Sequence, residues 1–155
     1  MAFQIHALSP TRFAPLFALS DSELMNMRAA RMIVDGKPGY PCRVSLADAE
    51  IGETVILVNF QHQPAASPFQ AAHAIFVREH VEQTFPDIGT VPELFESRLI
   101  SIRAFDDRAF MVAADVVDGS GLTHSIPALL QDTKVAYLHL HNAKLGCFMA
   151  RVTRA

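Results

Sequence analysis

The segment Val135-Ala136-Tyr137-Leu138-His139-Leu140-His141-Asn142-Ala143-Lys144-Leu145-Gly146-Cys147-Phe148-Met149-Ala150-Arg151-Val152-Thr153 reads as a β-hairpin. Val135 to His141 and Cys147 to Thr153 alternate with a period of two, and the five residues Asn142 to Gly146 between them carry turn chemistry at both ends. One face then holds Ala136, Leu138, Leu140, Phe148, Ala150 and Val152, the core side of a sheet. The simplest register sets His141 opposite Cys147, His139 opposite Met149 and Tyr137 opposite Arg151. That register gathers two imidazoles, a thiol, a phenol and a guanidinium on the second face. A shift of one residue would disperse them.

Working outward, more strands of the same kind precede the hairpin. Thr54 to Phe60 has Val55 and Leu57 on one face and Ile56, Val58 and Phe60 on the other; with both faces apolar it is expected to be central. His73 to Arg78 is a further strand, and Phe3 to Leu8 a first one. Arg98 to Phe105 and Arg108 to Val116 are expected to pair through a two-residue turn at Asp106-Asp107, with Arg98 facing Asp115. Helical signals are short. Ser20 and Glu23 form a capping box that opens a helix from Asp21 to about Ala30, with Leu19 and Leu24 as its hydrophobic staple. Ser45 suggests a single turn, Glu79 to Phe85 a helix ending before Pro86, and Ser125 a cap for a helix to about Gln131.

The chain has 155 residues, 50% hydrophobic and 19% charged, and 13 Lys and Arg against 16 Asp and Glu give a net charge of −3. Such a length makes one domain, residues 1–155, with a core that needs no disulfide or structural metal. With an isoelectric point near 6.1 and no basic run, the charge pattern argues against nucleic acid as a partner. No stretch of about 18 apolar residues points to a membrane, and Met1 to His6 has no secretory character, so a cytoplasmic location is expected. In that reducing compartment Cys42 and Cys147, which form no CxxC pair, are expected to be free thiols.

Beyond single elements, an ordered series of short motifs resembles a known family. Gly39-Tyr40-Pro41-Cys42-Arg43-Val44-Ser45-Leu46, then Asp48-Ala49 and Gly52-Glu53, then Ser67-Pro68-Phe69 with Ile75-Phe76-Val77-Arg78, and finally His139-Leu140-His141-Asn142-Ala143 with Gly146-Cys147, are similar to the bacterial family called domain of unknown function 1203. The similarity runs from about Phe3 to Arg151. Phe69-Gln70 departs from the Tyr-Arg expected in many relatives. The resemblance implies a stand-alone bacterial protein and brings no catalytic residue or cofactor with it.

Three chemistries are open to the residues themselves. His139 and His141, at i and i+2 on a strand, point the same way, and a third donor from a neighbouring strand, His73 or His62, would complete a facial metal site. Cys147 beside His141 would make a thiol–imidazole pair with Asn142 as an orienting group, and Cys42 lies next to the cation of Arg43. Arg43, Arg78 and Arg151 could converge on a carboxylate or phosphate through planar, bidentate hydrogen bonds. Against each stands an ordinary structural role: half-exposed sheet histidines, buried core cysteines, and arginines paired with Glu53, Glu79 or Asp115.

These readings add up to an α+β protein with a mostly antiparallel sheet of about six to seven strands and a few short helices. The expected function is the binding of a small anionic molecule, with or without catalysis, in a pocket near the Cys42-Arg43 loop and the His139/His141 face. Its expected residues are Cys42, Arg43, Arg78, His139, His141, Asn142, Cys147 and Arg151, with His139, His141 and His73 as the metal set. The alternative class is a homodimeric interaction module.

Overall fold

The computed structural model describes residues 1–155. Its strands are β1 (Phe3–His6), β2 (Ala29–Ile33), β3 (Pro41–Cys42), β4 (Ala47–Asp48), β5 (Thr54–Gln63), β6 (Ala71–Arg78), β7 (Leu99–Phe105), β8 (Met111–Asp118), β9 (Tyr137–Asn142) and β10 (Phe148–Arg154). Three helices, α1 (Asp21–Asn26), α2 (Glu93–Glu96) and α3 (Leu122–Leu130), are all short. None is long and apolar enough to cross a membrane.

The strands form two five-stranded sheets, ordered β1-β10-β9-β7-β8 and β2-β5-β6-β3-β4, where a single sheet of six to seven strands was expected. Every pairing is antiparallel except β3 with β6. The undercount has a local cause. Helix α1 has its capping box, with Ser20 Oγ accepting from the Glu23 amide and Glu23 Oε2 from the Ser20 amide. It stops at Asn26 because Arg28 turns left-handed, at φ 53°, and the chain leaves as β2 instead of continuing as helix to Ala30. Ser45 sits in the tight turn between β3 and β4, where Leu46 has φ 49°. Glu79 to Phe85 forms no helix; His80 has φ 55° and the Thr84 amide bonds Val44 O at 3.0 Å, tying that stretch to the sheet region.

Strand β5 is central in the second sheet, as its two apolar faces require. The first sheet buries Ile100, Ile102 and Ala104 of β7, Leu138 and Leu140 of β9 and Val152 of β10 in one cluster with Leu122, Ile126 and Leu130 of α3. Those three helical positions recur at i, i+4 and i+8, a single stripe, and each buried Leu or Ile contributes about 1.5–3 kcal/mol. A second cluster joins Ile56, Val58, Ile75 and Val77 to Phe13, Leu16 and Leu24 of the N-terminal segment. Phe148 of the first sheet inserts into it.

Two registers differ from expectation. Asp106 to Phe110 makes a longer loop, held by Asp106 Oδ1 accepting from the Arg108 and Phe110 amides, with Ala109 at φ 60°. Ile102, not Arg98, therefore faces Asp115. In the last hairpin the turn itself closes one residue later than expected, with the Asn142 amide on Cys147 O, so that His141 pairs with Phe148; a bulge between Phe148 and Ala150 adds a second residue and sets His139 opposite Arg151. The bulge turns Phe148 away from Ala150 and Val152 onto the histidine side, and Ala136, just before β9, is exposed.

Candidate functional site

Where the β9–β10 end of the first sheet meets β5 and β6 of the second, four imidazoles collect. His139 and His141 follow the alternation of β9; His62, two residues beyond Phe60, and His73, in register with Phe60, come from the second sheet. His62 lies stacked between His73 (ring centroids 4.8 Å apart, 12° between planes) and Phe148 (5.1 Å, 9°). His62 Nε2 is 2.8 Å from His73 Nδ1, and His62 Nδ1 is 3.4 Å from His139 Nδ1. His139 and His141 are 3% and 0% exposed, His62 9%, and His73 is half-buried.

Burial holds these rings neutral. It lowers His62 from its ordinary value to about 4, His139 to about 3 and His141 to about 2, and it lowers His73 as well. The Arg103 guanidinium adds to the shift at all four, and Arg151 at His139. Both arginines flank His139 across the sheet, on β7 and β10. No carboxylate belongs to the group.

His141 has a defined tautomer. Its Nδ1 lies 2.9 Å from Gly146 O, which can only accept, so Nδ1 carries the proton and Nε2 presents a bare lone pair. That Nε2 is the single buried side-chain nitrogen or oxygen without a hydrogen-bond partner. Leaving such a group unpaired costs about 1–3 kcal/mol.

Beside the cluster lies a cavity of about 390 Å³ bordered by His73, Arg43, Arg98, Asn142, Cys147 and Phe76, among others. Arg43, only 1% exposed, is held by Phe148 O (Nε, 2.7 Å), Pro41 O and Cys147 Sγ (Nη2, 3.1 Å). Burial lowers its pKa, with the Cys147 thiol opposing the shift, yet no carboxylate neutralises it. A guanidinium remains charged at any physiological pH. Arg98, by contrast, makes a two-pronged ion pair with Asp48 at 2.7 and 3.1 Å.

Of the residues singled out in the sequence, Arg43, Asn142, Cys147 and His73 meet at this cavity. His139 and His141 lie behind it in the imidazole cluster. Cys42 is fully buried, its sulfur accepting from the Ser45 and Arg78 amides. Arg78 points elsewhere, bonded to Glu53 through Nε and Nη2 at 2.9 Å each. Arg151 is exposed over the Tyr137 ring, 4.3 Å from its centroid, at another opening bordered by His62, His139 and Arg12. The three arginines thus do not converge. Arg98, expected only as the cross-strand partner of Asp115, and Arg103 were not singled out for the site, and no local pattern marks them there: Arg98 is placed by Asp48, fifty positions away, and Arg103 by β7 pairing with β9.

No curated protein and no solved structure matches the chain. The family model described as "Protein of unknown function (DUF1203)" matches residues 39–154, which include Arg43, Cys147 and all four clustered histidines. The chain belongs to the DUF1203 family.

Proposed function

We propose that this protein binds a small anionic molecule, a carboxylate or phosphate, in the cavity bordered by Arg43, Asn142, Cys147 and His73. One observation carries the reading: Arg43 is a buried cation at the cavity wall whose protein partners are two carbonyls and a thiol, with no counter-charge. A buried charge without a counter-ion is expensive, and an anion entering this cavity would supply one. The remaining donors suit such a ligand. Guanidinium nitrogens form charge-assisted hydrogen bonds to oxyanions, and the Asn142 side chain adds a neutral donor. The size fits a small metabolite, since ligand pockets commonly span ~300–1,000 Å³.

The test is thermal unfolding in phosphate, acetate and succinate, compared with chloride at equal ionic strength. A ligand that binds only the folded state raises Tm with concentration by mass action. At least one oxyanion should do so. Ala74→Tyr, at an exposed strand position on the cavity wall, should remove the shift while leaving the unliganded Tm within a few degrees. Equal Tm in all four salts across the millimolar range would overturn the reading, as would an undiminished shift in Ala74→Tyr.

A further inference from the structure

We propose that His62, His73 and His141 form a site for one divalent transition-metal ion of the zinc class, reached from the cavity that His73 borders. This goes beyond the anion reading and stands on different observations, with His73 the one residue that borders both.

Geometry comes first. The three side chains place ligand nitrogens within 4.8 Å of one another, with His62 Nε2 and His73 Nδ1 already at 2.8 Å. Two nitrogens on a tetrahedral ion, each at ~2.05 Å, are about 3.3 Å apart, so the group brackets the required spacing and closes by side-chain movements of roughly 1.5 Å. The three donors come from β5, β6 and β9, strands of two different sheets, so the fold and not one flexible loop sets their positions.

The second observation is independent and concerns His141 alone. Its Nε2 is fully buried, deprotonated and without a donor, while its Nδ1–H is held by Gly146 O. A backbone carbonyl bonded to the far nitrogen of a ring is the arrangement that orients a metal-ligating histidine and fixes its tautomer. An ion at Nε2 would satisfy the one buried polar atom that the protein leaves unpaired. His62 has a matching support: with Nε2 turned to the site, its Nδ1 faces His139 Nδ1 at 3.4 Å. His139 is thus a positioning residue, acting through His62.

The chemistry of the donors selects the ion. Neutral imidazoles without any carboxylate suit Zn²⁺, Cu²⁺, Ni²⁺ or Fe²⁺ and offer nothing to Ca²⁺ or Mg²⁺, which require oxygen. Three protein ligands leave a tetrahedral position free. Because Arg103 lies close enough to act on all three imidazoles and Arg43 on His73, and no carboxylate belongs to the group, the dication's charge must be balanced by something other than the protein, and an exogenous anion or hydroxide is the natural fourth ligand.

The experiment uses the full chain, purified without an affinity tag. Elemental analysis of the untreated protein is followed by chelator treatment, calorimetric titration with Zn²⁺ and absorption spectroscopy with Co²⁺. One ion per chain and a visible Co²⁺ spectrum typical of four- or five-coordinate nitrogen sites are expected. His141→Ala and the half-buried His73→Ala should each weaken Zn²⁺ binding by about 100-fold or more, and His139→Gln by about 10-fold, since outer partners of ligating histidines matter by about 10–100-fold. His124→Ala, on the exposed side of α3, should bind as the parent does. Absence of stoichiometric Zn²⁺ binding by the parent would overturn the proposal. So would unchanged affinity in a folded His141→Ala or, if that variant does not fold, in His73→Ala.

Discussion

Arg43 Nη2 lies 3.1 Å from Cys147 Sγ, across 104 positions of sequence, and this contact ties the β3–β4 turn to the start of β10. With Nε on Phe148 O, it makes the guanidinium a clamp between the two sheets. Replacing Arg43 by Met keeps much of the volume, removes the buried charge and strands the carbonyls of Phe148 and Pro41. The two effects oppose each other, but each stranded carbonyl costs about 1–3 kcal/mol. A net loss of roughly 2–4 kcal/mol in urea unfolding is therefore expected. A variant as stable as the parent would show that the clamp contributes nothing.

The neutral imidazoles make stability depend on pH. For the metal-free protein, folded pKa values near 4, 3 and 2 at His62, His139 and His141 lie below the unfolded value near 6.5, so the unfolded chain binds more protons. Their contribution is fully present above pH 6.5 and is lost as the pH falls toward the folded values. Each ring adds a slope of up to about 1.4 kcal/mol per pH unit below pH 6.5. The charged groups facing them, Arg103 at all three and Arg151 at His139, are cations throughout this range. Denaturant midpoints should fall steeply between pH 6.5 and 5, and less steeply in His62→Phe, whose ring keeps the stack on Phe148. A flat profile would refute the burial argument.

The two thiols should separate by accessibility. Cys42 is 0% exposed, whereas Cys147 is partly open at the cavity. A thiol reagent such as 5,5′-dithiobis(2-nitrobenzoate) should label one sulfur in the native protein, mapped to Cys147, and a second only in denaturant. Oxyanions that occupy the cavity should slow the first reaction. Rapid labelling of Cys42 in the folded state would contradict its placement in the core.

Gly119 is irreplaceable for a packing reason. A Cβ built there would come 1.7 Å from Phe95 O and 2.5 Å from its carbonyl carbon, backbone atoms that no rotamer change can move aside. Gly119→Ala should therefore destabilise by about 1–3 kcal/mol, the usual range for forcing extra atoms into a packed site. Gly36→Ala, with nothing within 4 Å of its Cβ, should stay near the parent. Calorimetric Tm values for the two variants decide the matter.

Local chemistry was enough for much of this fold. The capping box at Ser20 and Glu23, the two apolar faces of β5 and the alternation of the final hairpin follow from contacts within a few residues or from a two-residue period, and both are written in the order of side chains. So is the same-side placement of His139 and His141. Pairing across long loops is different. Whether β7 joins β9, or β3 adds parallel to β6, depends on which apolar faces bury each other, and the two-stranded β3–β4 hairpin is too short to announce itself. The turn closes one residue later than the simplest register, with the Asn142 amide on Cys147 O, and so exchanges Cys147 for Phe148 as the partner of His141; a bulge after Phe148 then moves the rest of β10 by one residue more. His62 became the centre of the imidazole cluster only because the second sheet meets the first at His139, whereas Arg78 takes the ordinary role open to it, pairing with Glu53 within the second sheet. Period and capping act between near neighbours along the chain, while the site is made by contacts 77 and 104 positions apart, whose partners are chosen by the packing of the whole core.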